Sequence, residues 1–184
     1  LGAGSERYRD QWRRACRATV DHLRNHPSVV CWVLFNEGWG QFDAALATEA
    51  VRRADPTRVV DAVSGWYDQG CGDFLSVHNY FRKLKVYADG AALRGRAAER
   101  GGRAFAISEF GGATFRVEDH SAFAESYGYD SFDDLGAWRA AVRRTLEEAA
   151  ALEGDGLAGY VYTQLSDVEE EVNGILTYDR RVNK

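Results

Sequence analysis

Two glutamates in this sequence stand where a carboxylate could act on a bond. Val29 to Phe35 is a strongly apolar run that leads into Asn36-Glu37-Gly38-Trp39-Gly40. Ala104 to Ile107 leads in the same way into Ser108-Glu109-Phe110-Gly111-Gly112. Two other runs end in comparable clusters, Ser64-Gly65-Trp66-Tyr67 and His78-Asn79-Tyr80. A pair of carboxyl groups held at a fixed separation is what glycoside hydrolysis needs. One protonates the departing oxygen, and the other attacks the anomeric carbon or activates water. A lone glutamate after a strand serves as readily as a surface or capping residue. Two with the same apolar lead and a nearby glycine, which lets backbone and ligand approach closely, are less easily dismissed.

The elements that must position these residues follow from periodicity. Residues 5–24 read as an amphipathic helix with Tyr8, Trp12, Cys16, Val20 and Leu23 on one face, stopped by Asn25-His26-Pro27. Val29 to Phe35 is rich in β-branched and aromatic residues, as a strand covered on both faces should be. A helix over 42–54, a strand over 58–63, a loop over 64–73 and a strand over 74–77 follow. An Ala-rich helix is expected between Val86 and Arg100 and a strand at 104–107. A long helix from Phe132 to Leu152, with Ser131 as N-cap, precedes a last strand at 157–163. Five strands alternating with helices predict a parallel sheet with helices outside it, as a doubly wound open sheet or a (β/α)₈ barrel. In such folds functional groups gather past the carboxyl ends of strands. Gly111-Gly112 lacks the rest of a nucleotide-binding fingerprint.

Composition sets outer bounds. The 184 residues are 45% hydrophobic and 28% charged, with a net charge of -5, so nothing global favours nucleic acid or an anionic membrane. The longest apolar run is too short to span a bilayer. The three cysteines have no metal-like spacing, and Cys16 and Cys31 read as small buried hydrophobes. A reducing, cytoplasmic setting is expected. The sequence has no methionine, even at residue 1, and is therefore expected to be a piece of a longer protein.

Asn25-His26-Pro27-Ser28-Val29, with Trp32 and Asn36-Glu37, resembles the "NHPSV…W…NE" signature of glycoside hydrolase family 2. Ile107-Ser108-Glu109-Phe110-Gly111 resembles that family's nucleophile signature, and Asn173 to Arg181 resembles the segment after its last barrel strand. The resemblance implies an α/β fold, a (β/α)₈ TIM barrel of which residues 1–184 supply the second half, strands four to eight, with no second domain. It implies that Glu37 is the general acid/base, Asn36 the partner of the sugar 2-hydroxyl and Glu109 the nucleophile. Tyr80 would orient Glu109, Tyr80 and His78 at the same strand end would contact the substrate, and Trp39 and Trp66 would offer platforms to a sugar face. The two carboxyl groups should share one face, about 5–5.5 Å apart for a retaining mechanism.

The implied activity is hydrolysis of terminal β-glycosidic bonds, β-galactosidase-like, on a carbohydrate substrate, with no cofactor and no metal ion. No nucleic acid or membrane partner is implied, and an oligomeric parent stays open. The sequence departs from the family at Tyr162-Thr163-Gln164, where a tryptophan usually ends the last strand. It departs again at Glu171-Val172-Asn173, where β-glucuronidases carry Asn-x-Lys to read a carboxylate; a glutamate there argues against glucuronides. The acidic run Asp167, Glu169, Glu170, Glu171 reads as a solvated loop. The alternatives are a carbohydrate-binding pseudoenzyme or inert fragment and, more remotely, a metal-dependent hydrolase using His78, His120 and the acidic loop.

Overall fold

A computed structural model describes residues 4–80, 84 and 101–184. The Ala-rich segment expected to be helical between Val86 and Arg100 lies outside the described residues. The described chain divides into two compact units, one holding residues 4–78 and 101–106 and the other 79, 80, 84 and 107–184.

In the first unit, helix α1 (Glu6–Leu23) and helix α2 (Ala44–Ala54) flank a parallel pair of strands, β1 (Cys31–Val33) and β2 (Val59–Asp61). Parallel neighbours need a crossover, and α2 supplies it. The register sets Trp32 beside Val60 and Val33 beside Asp61. Apolar residues at helical spacing bury one face of α1 in two adjoining clusters. Tyr8 and Trp12 pack against Phe35, Phe42, Ala44, Ala47, Ala62 and Val63. Val20 joins Trp32, Val51, Ala54 and Val60, with Cys16 and Leu23 against them. Trp12 stacks on Phe35 with ring centroids 4.6 Å apart, a contact worth about 0.5–1.5 kcal/mol beyond its buried area. The Trp32 indole donates to Asp55, which also takes the Thr57 amide and hydroxyl, so the end of α2 is tied to the start of β2.

Pairing continues past the formal strands. Leu34 N donates to Asp61 O, Ser64 N to Phe35 O and Glu37 N to Ser64 O. This ladder carries Glu37 to the end of its strand and sets it beside Ser64. Strand β3 (Phe74–Asn79) neighbours β4 (Ala104–Gly111). The loop between β2 and β3 is irregular, as expected. Asp73 pins it, accepting from Val60 N and from Arg52. The Arg103 guanidinium grips both carboxylate oxygens of Asp68 and the carbonyls of Cys71 and Phe74.

In the second unit, β4 neighbours β7 (Leu157–Thr163), while β5 (Ala113–Thr114) pairs in parallel with β6 (Asp130–Ser131). Helix α3 (Leu135–Ala151) packs through Trp138, Ala141, Val142 and Ala149. The Trp138 indole donates to Ala113 O. Lys184 is buried, and its ammonium donates to Phe115 O, Val172 O and a carboxylate oxygen of Asp167.

Several expectations are corrected. Asp134, not Ser131, caps α3, accepting from Ala137 N at 2.7 Å. Ser131 lies in β6, where its hydroxyl accepts from Thr114. The short β5 and β6 escape a periodicity reading, because two residues carry no pattern. The run at Val29 to Phe35 is not covered on both faces: Val30 is 68% and Val33 57% exposed. Cys16 and Cys31 are half-buried free thiols, pushed above the usual thiol range by that burial. Asp167 does not belong to a solvated acidic loop. Its carboxylate is enclosed against Lys184, while Glu169 and Glu170 are exposed.

Candidate active site

Glu37 sits four residues past β1 with φ of 53°, a left-handed conformation rare for a residue bearing a side chain. Its carboxylate is 23% exposed and lies 2.8 Å from Nδ1 of His78. The His78 ring is wholly buried, and its Nε2 lies 2.9 Å from the Ser64 hydroxyl. Both ring nitrogens are thus engaged, which fixes the imidazole plane. Gly65 makes room for it: at φ of 93°, a Cβ there would meet the His78 ring at 2.8 Å. The sequence names Glu37 and His78 but not their bond, nor the part played by Ser64.

An open cleft of about 640 Å³ adjoins Glu37, lined also by Trp39, Gln41, Trp66, Tyr67 and Gln69. Trp39 and Trp66 are exposed, and Asn36 is exposed beside its bridge to Ser64. Tyr67 packs over Gly38, where a Cβ would come within 2.6 Å of its ring. The close approach that Gly38 permits is therefore made by the protein's own tyrosine.

Glu109, half-buried near the end of β4, accepts a 2.6 Å hydrogen bond from the Tyr80 hydroxyl. The Thr163 hydroxyl lies 3.0 Å from the same phenol oxygen. A phenol has one proton. With it on Glu109, Thr163 is the donor to Tyr80, and the chain of bonds runs Thr163 to Tyr80 to Glu109. Burial, and next the bond to Glu109, push the Tyr80 hydroxyl far above its usual range. Tyr80 is therefore a fixed proton donor at neutral pH. Its ring stacks on Tyr129, centroids 4.6 Å apart. Gly112 admits that pair, since a Cβ there would meet Tyr129 at 2.4 Å and Tyr80 at 3.2 Å. Gly111 does the same for Tyr162 at 2.6 Å. Tyr129 lies in an irregular stretch whose sequence carries no signal for this role.

His120 pairs with Asp179 at 2.8 Å. Gln164 donates to Asn173 at 2.6 Å and to Glu171 at 3.3 Å.

The parallel β1–β2 pair with its α2 crossover, with Glu37 past the end of β1 and Glu109 near the end of β4, defines an α/β protein. The sequence matches the family described as "Glycosyl hydrolases family 2, TIM barrel domain" over residues 3–115, a span that holds both Glu37 and Glu109. The chain belongs to that family. No curated protein matches it. Among solved structures it is similar to a β-glucuronidase from an uncultured Clostridium sp., with 16% identity and a TM-score of 0.64 over 97% of this chain and 34% of that one. It is also similar to a family 2 β-galacturonidase from Eisenbergiella tayi, with 18% identity and a TM-score of 0.66 over 97% of this chain and 35% of that one. A Bacteroides fragilis structure described as a putative β-galactosidase shares 16% identity and a TM-score of 0.58, over 94% of this chain and 29% of that one. The chain spans about a third of the length of these structures.

Proposed function

We propose that this chain is the catalytic portion of a retaining, exo-acting β-glycosidase and supplies strands four to eight of a (β/α)₈ barrel. The observation that carries the reading is the 2.6 Å bond from Tyr80 to Glu109. A donor that keeps its proton favours the ionised carboxylate, as a nucleophile requires. Glu37 is engaged instead by an imidazole, a group able to give or accept a proton.

In the proposed reaction Glu37 gives its proton to the glycosidic oxygen as the C1–O bond breaks. Glu109 attacks C1 and forms a glycosyl-enzyme. Glu37, now a carboxylate, takes a proton from water as that water attacks C1 and releases Glu109. Asn36 would hold the sugar 2-hydroxyl. A neutral sugar, read as in β-galactosidases, fits the surroundings of Gln164, where Glu171 adds a carboxylate rather than a cation. The three free cysteines accord with a cytoplasmic setting.

The test is hydrolysis of aryl β-galactosides, β-glucosides, β-mannosides and β-glucuronides by the full-length protein, beside Glu109→Gln, with the first-formed anomer read by NMR. Retention, with Glu109→Gln inactive, supports the proposal. Inversion, or undiminished activity in Glu109→Gln, overturns it.

A further inference from the structure

Tyr80 reaches Glu109 through a single atom. Its phenol oxygen donates to the carboxylate and also meets the Thr163 hydroxyl at 3.0 Å. Bonds at the tip of a side chain fix the tip and leave the plane of the ring to swing about it. That plane is held by a residue the reaction does not call for. Tyr129 lies against the Tyr80 ring with centroids 4.6 Å apart and planes 23° from parallel. The backbone delivers it there. β5 and β6 are two residues long, and their parallel register sets Ala113 beside Asp130 and Thr114 beside Ser131. Carried back one step, that register sets Gly112 beside Tyr129, whose amide donates to the Gly112 carbonyl at 3.3 Å. Gly112 stands three residues past Glu109, and its own amide donates to Thr163 O at 3.4 Å. The chain leaving Glu109 is thus tied to β7 on one side and to Tyr129 on the other. A Cβ at Gly112 would collide with the Tyr129 ring, and one at Gly128 with Thr114, so two glycines clear the approach. The Tyr127 amide, donating to Glu170 O at 2.8 Å, anchors the stretch behind it.

We propose that Tyr129 is a positioning residue for the nucleophile. It holds the plane of Tyr80 so that the phenol hydroxyl stays aimed at Glu109, and it gives nothing to the reacting atoms itself. The proposal rests on the reading of Glu109 as the nucleophile. A stacked pair of rings supplies attraction worth about 2- to 12-fold in an equilibrium. The bond from Tyr80 to Glu109 is directional and weakens as the donor turns away. Without the stack, the donor samples orientations in which Glu109 is neither held nor stabilised, and misplacement of a reacting group slows the reaction. The whole effect passes through one hydroxyl. Once that hydroxyl is gone, the stack has nothing left to aim.

The test is a double-mutant cycle in the full-length protein. It is read by trapping with 2,4-dinitrophenyl 2-deoxy-2-fluoro-β-galactoside, with the gluco and manno compounds alongside. In trapping, a Glu109 oxygen bonds to C1 as the C1–O bond breaks, and dinitrophenolate departs with the electron pair and is counted by its colour. Tyr129→Leu should slow the maximal trapping rate about 5-fold, with the half-saturating concentration unchanged within about 2-fold. Tyr129→Phe, which keeps the ring, should hold the rate within about 2-fold of wild type. In a Tyr80→Phe background, Tyr129→Leu should cost less than about 2-fold. Equal losses in both backgrounds would overturn the proposal, because Tyr129 would then act on the substrate or on the fold and not through the phenol. So would an undiminished rate in Tyr129→Leu, a loss carried by the half-saturating concentration alone, or a Phe variant as slow as the Leu variant. Tyr129 is 38% exposed, so circular dichroism should confirm an intact fold, and Tyr129→Gln, a second variant without a ring, should repeat the pattern. The nucleophile reading is tested separately, by peptide mapping of the trapped wild type. A label on Glu109 upholds it; a label elsewhere, or none, overturns that reading and this proposal with it.

Discussion

The buried imidazole of His78 joins Glu37 to Ser64, with Nδ1 2.8 Å from the carboxylate and Nε2 2.9 Å from the hydroxyl. A side chain with no solvent access and a partner at each nitrogen cannot turn without losing both bonds. Glu37 is thereby aimed by a residue that need never touch substrate. His78→Phe should keep a flat buried ring, somewhat larger than the imidazole, and lose both bonds. A misplacement of 1 Å can cost on the order of 10²-fold, so kcat/KM should fall by about that much. His78→Gln, which can restore one bond, should recover part of the loss. Wild-type kinetics in His78→Phe would show that Glu37 needs no such support.

Tyr80→Phe deletes one atom from the chain Thr163 to Tyr80 to Glu109. A hydrogen bond to a charged group contributes about 1.5–3 kcal/mol. If that support is felt in the transition state, kcat/KM should drop by about 10- to 150-fold. Thr163→Val should cost less, because it acts on Glu109 only through the phenol, and Thr163→Ser should restore the donor. Equal losses in Tyr80→Phe and Thr163→Val would contradict this order.

The two glutamates should separate kinetically. Glu109→Ala should form no glycosyl-enzyme with any substrate. Glu37→Ala should still react with a dinitrophenyl glycoside, whose leaving group needs little protonation, and glycosyl-enzyme should accumulate. Loss of a general base costs about 10²–10⁴-fold. Added azide should restore turnover of Glu37→Ala and give a β-glycosyl azide. A β-azide from Glu109→Ala would reverse the assignment of roles.

Asp179 governs a pH-dependent contribution to stability. Bonds from His120 and then Thr177, with the Arg181 amide, hold its carboxyl at about 2. The unfolded value is near 3.9. Since the folded value is the lower one, the stabilisation is fully present above about pH 4 and is lost as pH falls through 2. Urea midpoints of wild type and Asp179→Asn should therefore differ at pH 5 and converge as the pH falls toward 2. A gap that widens in acid would refute the linkage.

The Lys184–Asp167 pair is enclosed, with both side chains at 0% exposure. Burial presses the Asp167 carboxyl upward and the Lys184 ammonium downward, while their mutual bond opposes both shifts. Lys184→Met would strand a buried carboxylate, and breaking such a pair costs about 3–5 kcal/mol. Adding Asp167→Asn should return part of that loss in a denaturation cycle. Additive losses would show that the two groups are not coupled.

Local pattern in the sequence was enough for the alternation of helices with strands and for both strand-end glutamates. Apolar spacing marked α1, Asn25-His26-Pro27 marked its end, a β-branched and aromatic run marked β1, and the apolar run Ala104 to Ile107 marked β4. These are properties of neighbouring residues, and neighbours are what a sequence displays. Partnerships between distant residues were decided only by the fold. Tyr80 and Thr163 stand 83 positions apart and yet share a hydrogen bond. His78 reaches Glu37 across 41 positions, and Ser64 enters through the parallel register of β1 with β2. The glycines make the same point. The glycines after Glu37 and Glu109 read in the sequence as room for a ligand, but Gly38, Gly65 and Gly112 each leave room for one ring of the protein itself, Tyr67, His78 or Tyr129. Asp167, written among acidic neighbours, could be distinguished from them only once chain reversal brought Lys184 over it. A charge is solvated or paired according to what surrounds it in space, and that is fixed by the folded chain.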